Sequence, residues 1–249
     1  MVLVHGFTQG AGAWRRAAAG LASDHEVVMV ELPNHGRSTD TTAANLGEAA
    51  QLVTEACGHG CYVGYSLGGR ICLQGALDHP HAVESLVLVS TTAGIVDEDE
   101  RLTRRRADHA LADRLDPPSG GEPELGLEEF LAEWLAGPLF TGLDREQADI
   151  ATRLENTSRG LATSLRTLGT GSMAPLWDRV AQIEVPAAVV AGGHDEKFLA
   201  IGRRLAGAIG PNATLQVVEG VGHAVPFEAP AEFVAIMRGF LELTQPARP

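Results

Sequence analysis

Short continuous apolar runs recur along the chain, separated by longer segments in which apolar residues repeat every three to four positions. Such runs are typical of strands buried on both faces, and the longer segments are typical of amphipathic helices. The predicted strands are Val2–Val4, Val27–Leu32, Cys61–Tyr65, Ser85–Ser90, Ala187–Ala191 and Leu215–Val218. The predicted helices lie near Ala13–Ala22, Ala43–Ala56, Leu67–Leu77, Phe198–Ile209 and Ala231–Leu243. This alternation predicts an α/β fold with a mainly parallel sheet covered by helices on both faces.

The alternation stops between about Ala93 and Val180, where the chain becomes helical and charged and contains the Pro/Gly-rich stretch Pro117–Gly121. An insertion of this length above the strand ends would form a cap over a site. We therefore divide the chain into a first core segment at 1–93, a helical cap at 94–180 and a second core segment at 181–249. One domain with an insertion is the simplest organisation for 249 residues.

The sequence Gly64-Tyr65-Ser66-Leu67-Gly68 joins the third predicted strand to a predicted helix. A G-x-S-x-G pattern in this context is typical of a nucleophile elbow, the sharp turn that lifts a serine hydroxyl clear of a sheet. Glycines flank the serine because a side chain at either position would collide with the neighbouring strand or helix. Ser66 is therefore the candidate reactive group of an active site.

A serine hydroxyl reacts only when a histidine takes its proton, and in this fold an acid and a histidine follow the serine in chain order. Asp195 follows the run 187–193, and His223 follows the run 215–219. Taken singly, these would be a turn residue and a loop histidine, but their joint positions predict a triad with Ser66. Five other aspartates are better explained as members of solvated faces: Asp24, Asp108, Asp113, Asp144 and Asp149.

A candidate oxyanion site follows the first predicted strand at His5-Gly6-Phe7. The backbone N–H of Phe7, together with that of Leu67 after the serine, would stabilise a negative oxygen. The alternative is an ordinary turn from a strand to a helix. His35, which follows the second predicted strand, is interpreted as a structural loop residue.

Composition narrows the classes of function. The net charge of −13 argues against a nucleic-acid partner or an anionic membrane surface, and no apolar stretch has the ~20 residues of a membrane helix. The three cysteines cannot all pair, and the nine histidines show no metal-ligand spacing. With no visible secretory signal, we expect a cytoplasmic protein without a metal, as a monomer or weak homo-oligomer.

Several motifs together resemble the α/β-hydrolase superfamily across the whole chain: His5-Gly6-Phe7, Leu32–Gly36, the serine turn, Asp195 and His223. This resemblance implies a cap inserted after the sixth family strand. Relatives usually carry about two further strands before the His-Gly turn, so we expect either a sheet that is short at one edge or a misassigned start of the sequence. Within the superfamily, the chain is similar to the 2-succinyl-6-hydroxy-2,4-cyclohexadiene-1-carboxylate synthases of menaquinone biosynthesis. The segments that carry this narrower similarity are Gly64–Arg70, Arg104–Asp108, Phe130–Trp134 with Pro138–Phe140, Arg153 with Gly160–Ala162, Leu165–Arg166 with Gly169–Gly171 and Leu176–Trp177, and Gly193–Phe198.

The narrower similarity implies a lyase whose substrate carries several carboxylates and loses pyruvate. Carboxylates bind best to the planar pair of donors of arginine, so the similarity implies carboxylate binding by Arg70, Arg104 and Arg153. It also implies that Tyr65 and Trp134 line the cavity. Without it, Arg70 would be assigned to a buried ion pair, Arg104 to a solvated helix face, Arg153 to the surface and Trp134 to the core of the cap.

Three functions remain open at this point. In the resembled lyase, Ser66 activated by His223 removes a proton next to a carbonyl, and the oxyanion site holds the enolate while pyruvate departs. In an esterase or thioesterase acting on a small acyl substrate, the same serine attacks a carbonyl. A non-catalytic binding protein would keep the triad unused. The triad alone does not separate these functions, and we expect no cofactor and a small anionic substrate.

Overall fold

The computed structural model describes residues 1–144 and 146–244, and within them six strands form one sheet. The strands are β1 (Val2–Val4), β2 (Val28–Val30), β3 (Gly60–Tyr65), β4 (Val83–Val89), β5 (Ala187–Gly192) and β6 (Ala213–Val218). Their order across the sheet is β2-β1-β3-β4-β5-β6, and each neighbouring pair is parallel. The mainly parallel sheet predicted from the sequence is therefore confirmed.

The central strands carry continuous apolar runs because both of their faces are covered. Every residue of β3 and β5 is buried, and so is every residue of β4 except Glu84. The edge strand β2, by contrast, leaves Val28 and Met29 exposed. A parallel strand covered on two faces has no solvent side on which polar residues would alternate.

Helices cover both faces of this sheet, as predicted. They are α1 (Arg15–Leu21), α2 (Leu46–Cys57), α3 (Leu67–Asp78), α4 (Glu98–Leu115), α5 (Leu127–Leu135), α6 (Ile150–Arg153), α7 (Ser158–Leu168), α8 (Glu196–Ile209), α9 (Val225–Glu228) and α10 (Pro230–Thr244). Short 3-10 helices occupy Ala11–Trp14, Gly36–Ser38, Pro138–Phe140 and Val180–Gln182. Trp14 and Phe233 belong to the apolar core on one side of the sheet, and Ile71 and Leu205 belong to the core on the other.

Two helices begin at residues that the apolar pattern did not predict. Helix α2 starts three residues later than the predicted Ala43, because the side chain of Asn45 accepts the N–H of Glu48 and caps the helix. Helix α8 starts two residues earlier than predicted, because Asp195 accepts the N–H of Phe198 at 3.1 Å. Capping side chains therefore set these two starts.

Helices α4 to α7 lie between β4 and β5, in the segment predicted to be the cap, and we keep that name for this segment. Its core contains Leu115, Phe130 and Leu161, and Phe7 from the loop after β1 packs against this core. The cap therefore meets the sheet at the candidate oxyanion loop. In the part of the chain that the structure describes, no helix is both long enough and apolar enough to cross a membrane.

The carboxyl ends of the strands share one edge of the sheet, below the cap. Ser66 follows β3, Asp195 follows β5 and His223 follows β6. Because all the strands are parallel, residues more than a hundred positions apart in the chain meet at this edge.

Candidate active site

Ser66 sits at the turn between β3 and α3 in a backbone conformation that few residues adopt. Its φ of 52° and ψ of −108° lie outside the common regions for residues with side chains. The turn is held on two sides, because the Ser66 N–H donates to the Val89 carbonyl at 2.9 Å and the Thr91 hydroxyl donates to the Ser66 carbonyl at 2.7 Å. An added Cβ at Gly64 would lie 2.6 Å from the Cα of Gly69, so packing requires a glycine before the serine.

The three candidate catalytic side chains come together at the edge of the sheet. Nδ1 of His223 lies 2.7 Å from Oδ2 of Asp195, and Nε2 of His223 lies 3.4 Å from Oγ of Ser66. Because a carboxylate only accepts, Nδ1 carries the proton and Nε2 is left to accept from the serine hydroxyl. The serine–histidine distance is long for such a bond, whereas the histidine–aspartate bond is short. The imidazole is therefore held more firmly than the hydroxyl.

The ring of His223 is enclosed by aromatic side chains and by its own loop. Its centroid lies 4.5 Å from the ring centroid of Phe198 and 5.5 Å from that of Tyr65. The Glu228 carboxylate accepts the backbone N–H groups of both residues that flank His223, at 2.8 Å each. Sequence reasoning missed Glu228, although an acidic residue five positions after a loop histidine was a signal for such a bond.

The predicted oxyanion loop turns sharply after β1. The Gly6 N–H donates to Oε1 of Gln9 at 2.9 Å, and Thr8 has a φ of 67°. In the described part of the chain, neither the N–H of Phe7 nor that of Leu67 donates a hydrogen bond. Both residues line the cavity that contains the candidate serine. Two free N–H groups beside a reactive hydroxyl are suited to stabilising a negative oxygen.

His5 anchors this loop in a neutral form. Its Nε2 accepts the N–H of Leu32 at 3.1 Å, so its Nδ1 carries the proton and donates to the Gly6 carbonyl at 2.8 Å. Burial, with a contribution from the nearby His35, lowers the pKa of His5 to about 3. Burial also lowers the pKa of His35 to about 4. Both side chains are therefore uncharged loop supports at neutral pH.

Arg153 lies behind the oxyanion loop, not in the cavity where the family similarity had led us to expect it. It is 3% exposed, its Nε donates to the Ala148 carbonyl at 2.6 Å, and its Nη1 donates to the Thr8 hydroxyl. Helix α6 brings the Arg153 guanidinium beside the loop, where its hydrogen bonds are made to Ala148 and Thr8. Asn156, which sequence reasoning missed, donates from Nδ2 to the Thr8 carbonyl and accepts the Gly36 N–H at Oδ1, each at 2.9 Å. These two side chains join the cap to the oxyanion loop.

A cavity of about 370 Å³ lies between Ser66, His223 and the cap. Three residues of its wall carry a buried polar atom that has no hydrogen-bond partner in the described ranges: Oγ of Ser90, Nε1 of Trp134 and Oγ of Ser164. Buried polar atoms are costly when left unpaired. The wall is therefore suited to a polar ligand.

Arg70 contributes a buried positive charge to this wall. It lies one helical turn after Ser66, is 7% exposed, and donates from Nη1 to the Leu168 carbonyl at 2.7 Å. Burial lowers the pKa of Arg70 to about 10, so the guanidinium stays charged at neutral pH. Its hydrogen-bond partners in the described ranges are neutral groups, Leu168 and Met173, so the alternative of a buried ion pair does not describe it.

Arg104 reaches the same cavity from α4. Its Nε donates to Oδ1 of Asp108 at 2.8 Å, and both residues line the cavity. The prediction that Asp108 lies on a solvated face was wrong, because this carboxylate is buried between Arg104 and the N–H of Gly171. The neighbouring Arg105 and Arg106 are exposed, as expected for a solvated helix face.

The two predicted aromatic contacts have different positions. Trp134 lines the cavity and also belongs to the cap, with its ring centroid 5.1 Å from that of Phe7 and 6.0 Å from that of Phe140. Tyr65 is not part of the cavity wall; it is buried beside His223. Tyr65 therefore packs against the imidazole from outside the cavity wall.

Lys197 is a further cavity residue that sequence reasoning missed. Its position in the sequence, two residues after Asp195 at the start of α8, could have indicated that it lies near the site. Among the described residues, no group of three or more His, Cys, Asp or Glu side chains could hold a metal ion. The cavity therefore combines a hydroxyl, an imidazole and a carboxylate with arginine and lysine side chains.

The fold and this site define the class of protein. The model of the Alpha/beta hydrolase family matches residues 1–236, and the chain belongs to that family. This confirms the superfamily resemblance predicted from the motifs.

Individual relatives show which members of this family the chain is similar to. A Bacillus subtilis (strain 168) protein, provisionally named 2-succinyl-6-hydroxy-2,4-cyclohexadiene-1-carboxylate synthase, is 34% identical over 97% of this chain and 89% of its own length. A synthase of the same name from Enterobacter sp. (strain 638) is 29% identical over 98% of this chain and 92% of its own length. The solved structure of MenH from S. aureus has a TM-score of 0.89 and 30% identity, covering 98% of this chain and 94% of that one.

Proposed function

We propose that this protein is a lyase that eliminates pyruvate from a cyclohexene substrate with several carboxylates, giving 2-succinyl-6-hydroxy-2,4-cyclohexadiene-1-carboxylate. The relatives that carry this name cover nearly the whole chain. The observation that carries the proposal is the presence of Arg70 and Arg104 in the same cavity as Ser66 and His223. A triad beneath two guanidinium groups suits an anionic substrate better than a neutral one.

The proposed reaction begins with proton transfer. His223 Nε2 takes the proton of the Ser66 hydroxyl, and the serine oxygen removes a proton from the carbon next to a substrate carbonyl. Asp195 balances the positive charge that forms on the imidazole, to which it is already bonded at 2.7 Å. The electron pair left on the substrate moves onto the carbonyl oxygen and forms an enolate.

The enolate then expels pyruvate. Its negative oxygen accepts hydrogen bonds from the N–H groups of Phe7 and Leu67, two cavity-lining residues whose N–H groups donate no hydrogen bond within the described residues. As the enolate collapses, the carbon–oxygen bond to the leaving group breaks, the ring gains a double bond and the leaving group departs as the enolate of pyruvate. This enolate takes the proton back from His223 by way of Ser66 and becomes pyruvate, which restores the neutral imidazole. Arg70 and Arg104 hold substrate carboxylates throughout, and no cofactor or acyl-enzyme is needed. We place this reaction in the cytoplasm.

The test is pyruvate release from the enzymatically prepared precursor, followed with a coupled NADH assay. Ser66→Ala and His223→Ala should lower kcat/KM by about a thousandfold or more. Arg104→Gln should lower it by at least about tenfold. The matched control is Arg106→Gln, since Arg106 is on the same helix but exposed, and it should behave as wild type. Wild-type protein that releases no pyruvate would refute the proposal.

Hydrolysis of a small ester or thioester is the second candidate. It is favoured by an apolar recess of about 260 Å³ beside the cavity, which Phe130, Trp134 and Leu139 help to line. An acyl or aryl group would fit such a recess. Rapid cleavage of p-nitrophenyl esters without pyruvate release would select this function. A binding protein with an unused triad would do neither, and Ser66 would not react with a phosphonate probe.

A further inference from the structure

Lys197 is the only lysine in the chain and lies in the wall of the candidate active site. It is the second residue of α8, immediately beyond the turn that holds Asp195. Its side chain is exposed, whereas Arg70 is buried. The cavity therefore has one cation in its depth and another where it opens to solvent.

The three positively charged side chains of the cavity differ in the partners that they already have. Arg70 donates to the carbonyl of Leu168, and Arg104 is paired with the carboxylate of Asp108. Within the ranges that the structure describes, no carboxylate lies within 4.0 Å of the Lys197 ammonium. The two carboxylates of the cavity are already engaged, Asp108 with Arg104 and Asp195 with His223. Lys197 and Arg70 therefore both lack a carboxylate partner within the described residues, and of these two only Lys197 is exposed to solvent.

An aromatic ring positions this ammonium on the triad side of the opening. The Nζ of Lys197 lies 5.9 Å from the ring centroid of Phe198, and that ring lies 4.5 Å from the ring of His223. A cation over an aromatic face is weakly attracted to it, which keeps the flexible side chain near the imidazole.

We propose that Lys197 binds a carboxylate of the substrate at the cavity entrance and thereby sets the preference for substrates with more than one carboxylate. This inference rests on the proposed function, because it assigns a partner within the same cavity. A lysine ammonium is a point charge on a flexible stem, suited to an entering carboxylate that does not need two-pronged alignment. Such a contact is made equally before and during the reaction, so it lowers KM and leaves kcat nearly unchanged.

Three variants test the proposal by pyruvate release. Lys197→Met keeps the length of the side chain and removes the charge; it should raise KM by about tenfold, with kcat within about threefold of wild type. Lys197→Arg keeps the charge and should restore most of the affinity. Arg203→Met is the matched control, because Arg203 is exposed on the same helix outside the cavity wall, and its KM should not change. The salt dependence of kcat/KM should be flatter for Lys197→Met than for the control.

A direct binding measurement keeps the proposal testable without turnover. Reductive methylation with labelled formaldehyde retains the charge and marks only the N-terminus and this one lysine side chain. Titration with citrate should shift the dimethyl-lysine resonance of the wild-type protein. Because Lys197→Met lacks this resonance, citrate affinities of the variants are compared by calorimetry, and Lys197→Met should bind citrate about tenfold more weakly than Arg203→Met.

The outcomes separate the two proposals. If wild type releases no pyruvate but citrate affinity falls in Lys197→Met, the lyase assignment fails and the carboxylate contact stands. If KM and citrate affinity in Lys197→Met stay within twofold of wild type, the role of Lys197 is refuted. A fall in kcat at constant KM would also refute it, because that pattern belongs to a group that acts in the chemical step.

Discussion

Replacing Gly68 by alanine tests how the serine turn packs against the oxyanion loop. An added Cβ at this position would lie 2.6 Å from the carbonyl oxygen of His5 and closer still to that of Val4. Cβ atoms essentially never approach other atoms within 3.0 Å, and both neighbours here are backbone atoms that a rotamer change does not move. Either the end of β1 or the start of α3 must therefore shift by several tenths of an ångström.

The expected cost follows from two opposing terms. Forcing an extra methyl group into a packed core costs about 1–3 kcal/mol, whereas alanine in place of glycine inside a helix gains about 1 kcal/mol. We expect a net loss of up to about 2 kcal/mol in the free energy of unfolding, which corresponds to a fall of up to about 8 °C in Tm for a chain of this size. Because β1 leads into the loop that carries the Phe7 N–H, kcat should also fall by at least about tenfold.

Gly207→Ala is the matched control. This glycine is inside α8, and nothing lies within 4 Å of the position of its added Cβ. The substitution should therefore raise the free energy of unfolding by about 0.5–1 kcal/mol and leave kcat unchanged. Thermal unfolding and pyruvate release measured on both variants check the reasoning. A Gly68→Ala protein as stable and as active as Gly207→Ala would show that the two backbone segments are not in rigid contact.

Three further predictions concern groups that support the site. Glu228→Ala should lower kcat by about tenfold, and Glu228→Gln should lower it less. The reason is that only glutamine keeps an acceptor for the N–H groups on either side of His223. Equal kcat values for the two variants would contradict this. Asn156→Asp removes the side-chain N–H donors that bond to the oxyanion loop, so it should lower the free energy of unfolding by about 1–3 kcal/mol and also lower kcat. The control Asn45→Asp keeps an acceptor that caps α2, so it should change neither quantity. Urea unfolding and kinetic assays measure both. Burial lowers the pKa of His5 to about 3 and that of His35 to about 4, against 6.5 for a free histidine. Between pH 6.5 and 4 these two histidines are therefore protonated in the unfolded chain and neutral in the folded chain. The free energy of unfolding in urea should fall as the pH drops through this range, by up to about 1.4 kcal/mol per pH unit for each histidine. A flat profile would contradict the assignment of both as buried neutral groups.

The sheet and the serine turn could be predicted because their causes are local in the sequence. Strands such as β5 are buried on both faces, and this alone requires a continuous apolar run. The turn at Ser66 needs glycines at fixed spacing, since a side chain at Gly64 or Gly68 would meet backbone atoms. The meeting of Ser66, Asp195 and His223 follows from parallel strands, whose carboxyl ends share one edge.

The direction of the cap side chains could not be predicted, because it depends on packing between distant segments. Arg153 and Arg104 are both arginines in helical cap segments, yet one bonds to the oxyanion loop and the other lines the cavity. Their difference comes from where α6 and α4 dock, which leaves no periodic signal in the sequence. Glu228 and Asn156 were missed for a related reason, since their partners are backbone N–H and C=O groups that every residue carries.

The electrostatics of the site explain how one triad could serve an anionic substrate in an acidic protein. The chain has a net charge of −13, which repels anions over most of its surface. Inside the cavity, the negative charges of Asp108 and Asp195 are each engaged by a neighbour, while Arg70 is bonded only to neutral groups within the described residues. A substrate with several carboxylates would therefore meet positive charge beside the Ser66 hydroxyl. Under the proposed function, Arg70 and Arg104 favour an anionic substrate over a neutral ester, whereas Ser66, His223 and Asp195 alone would serve both.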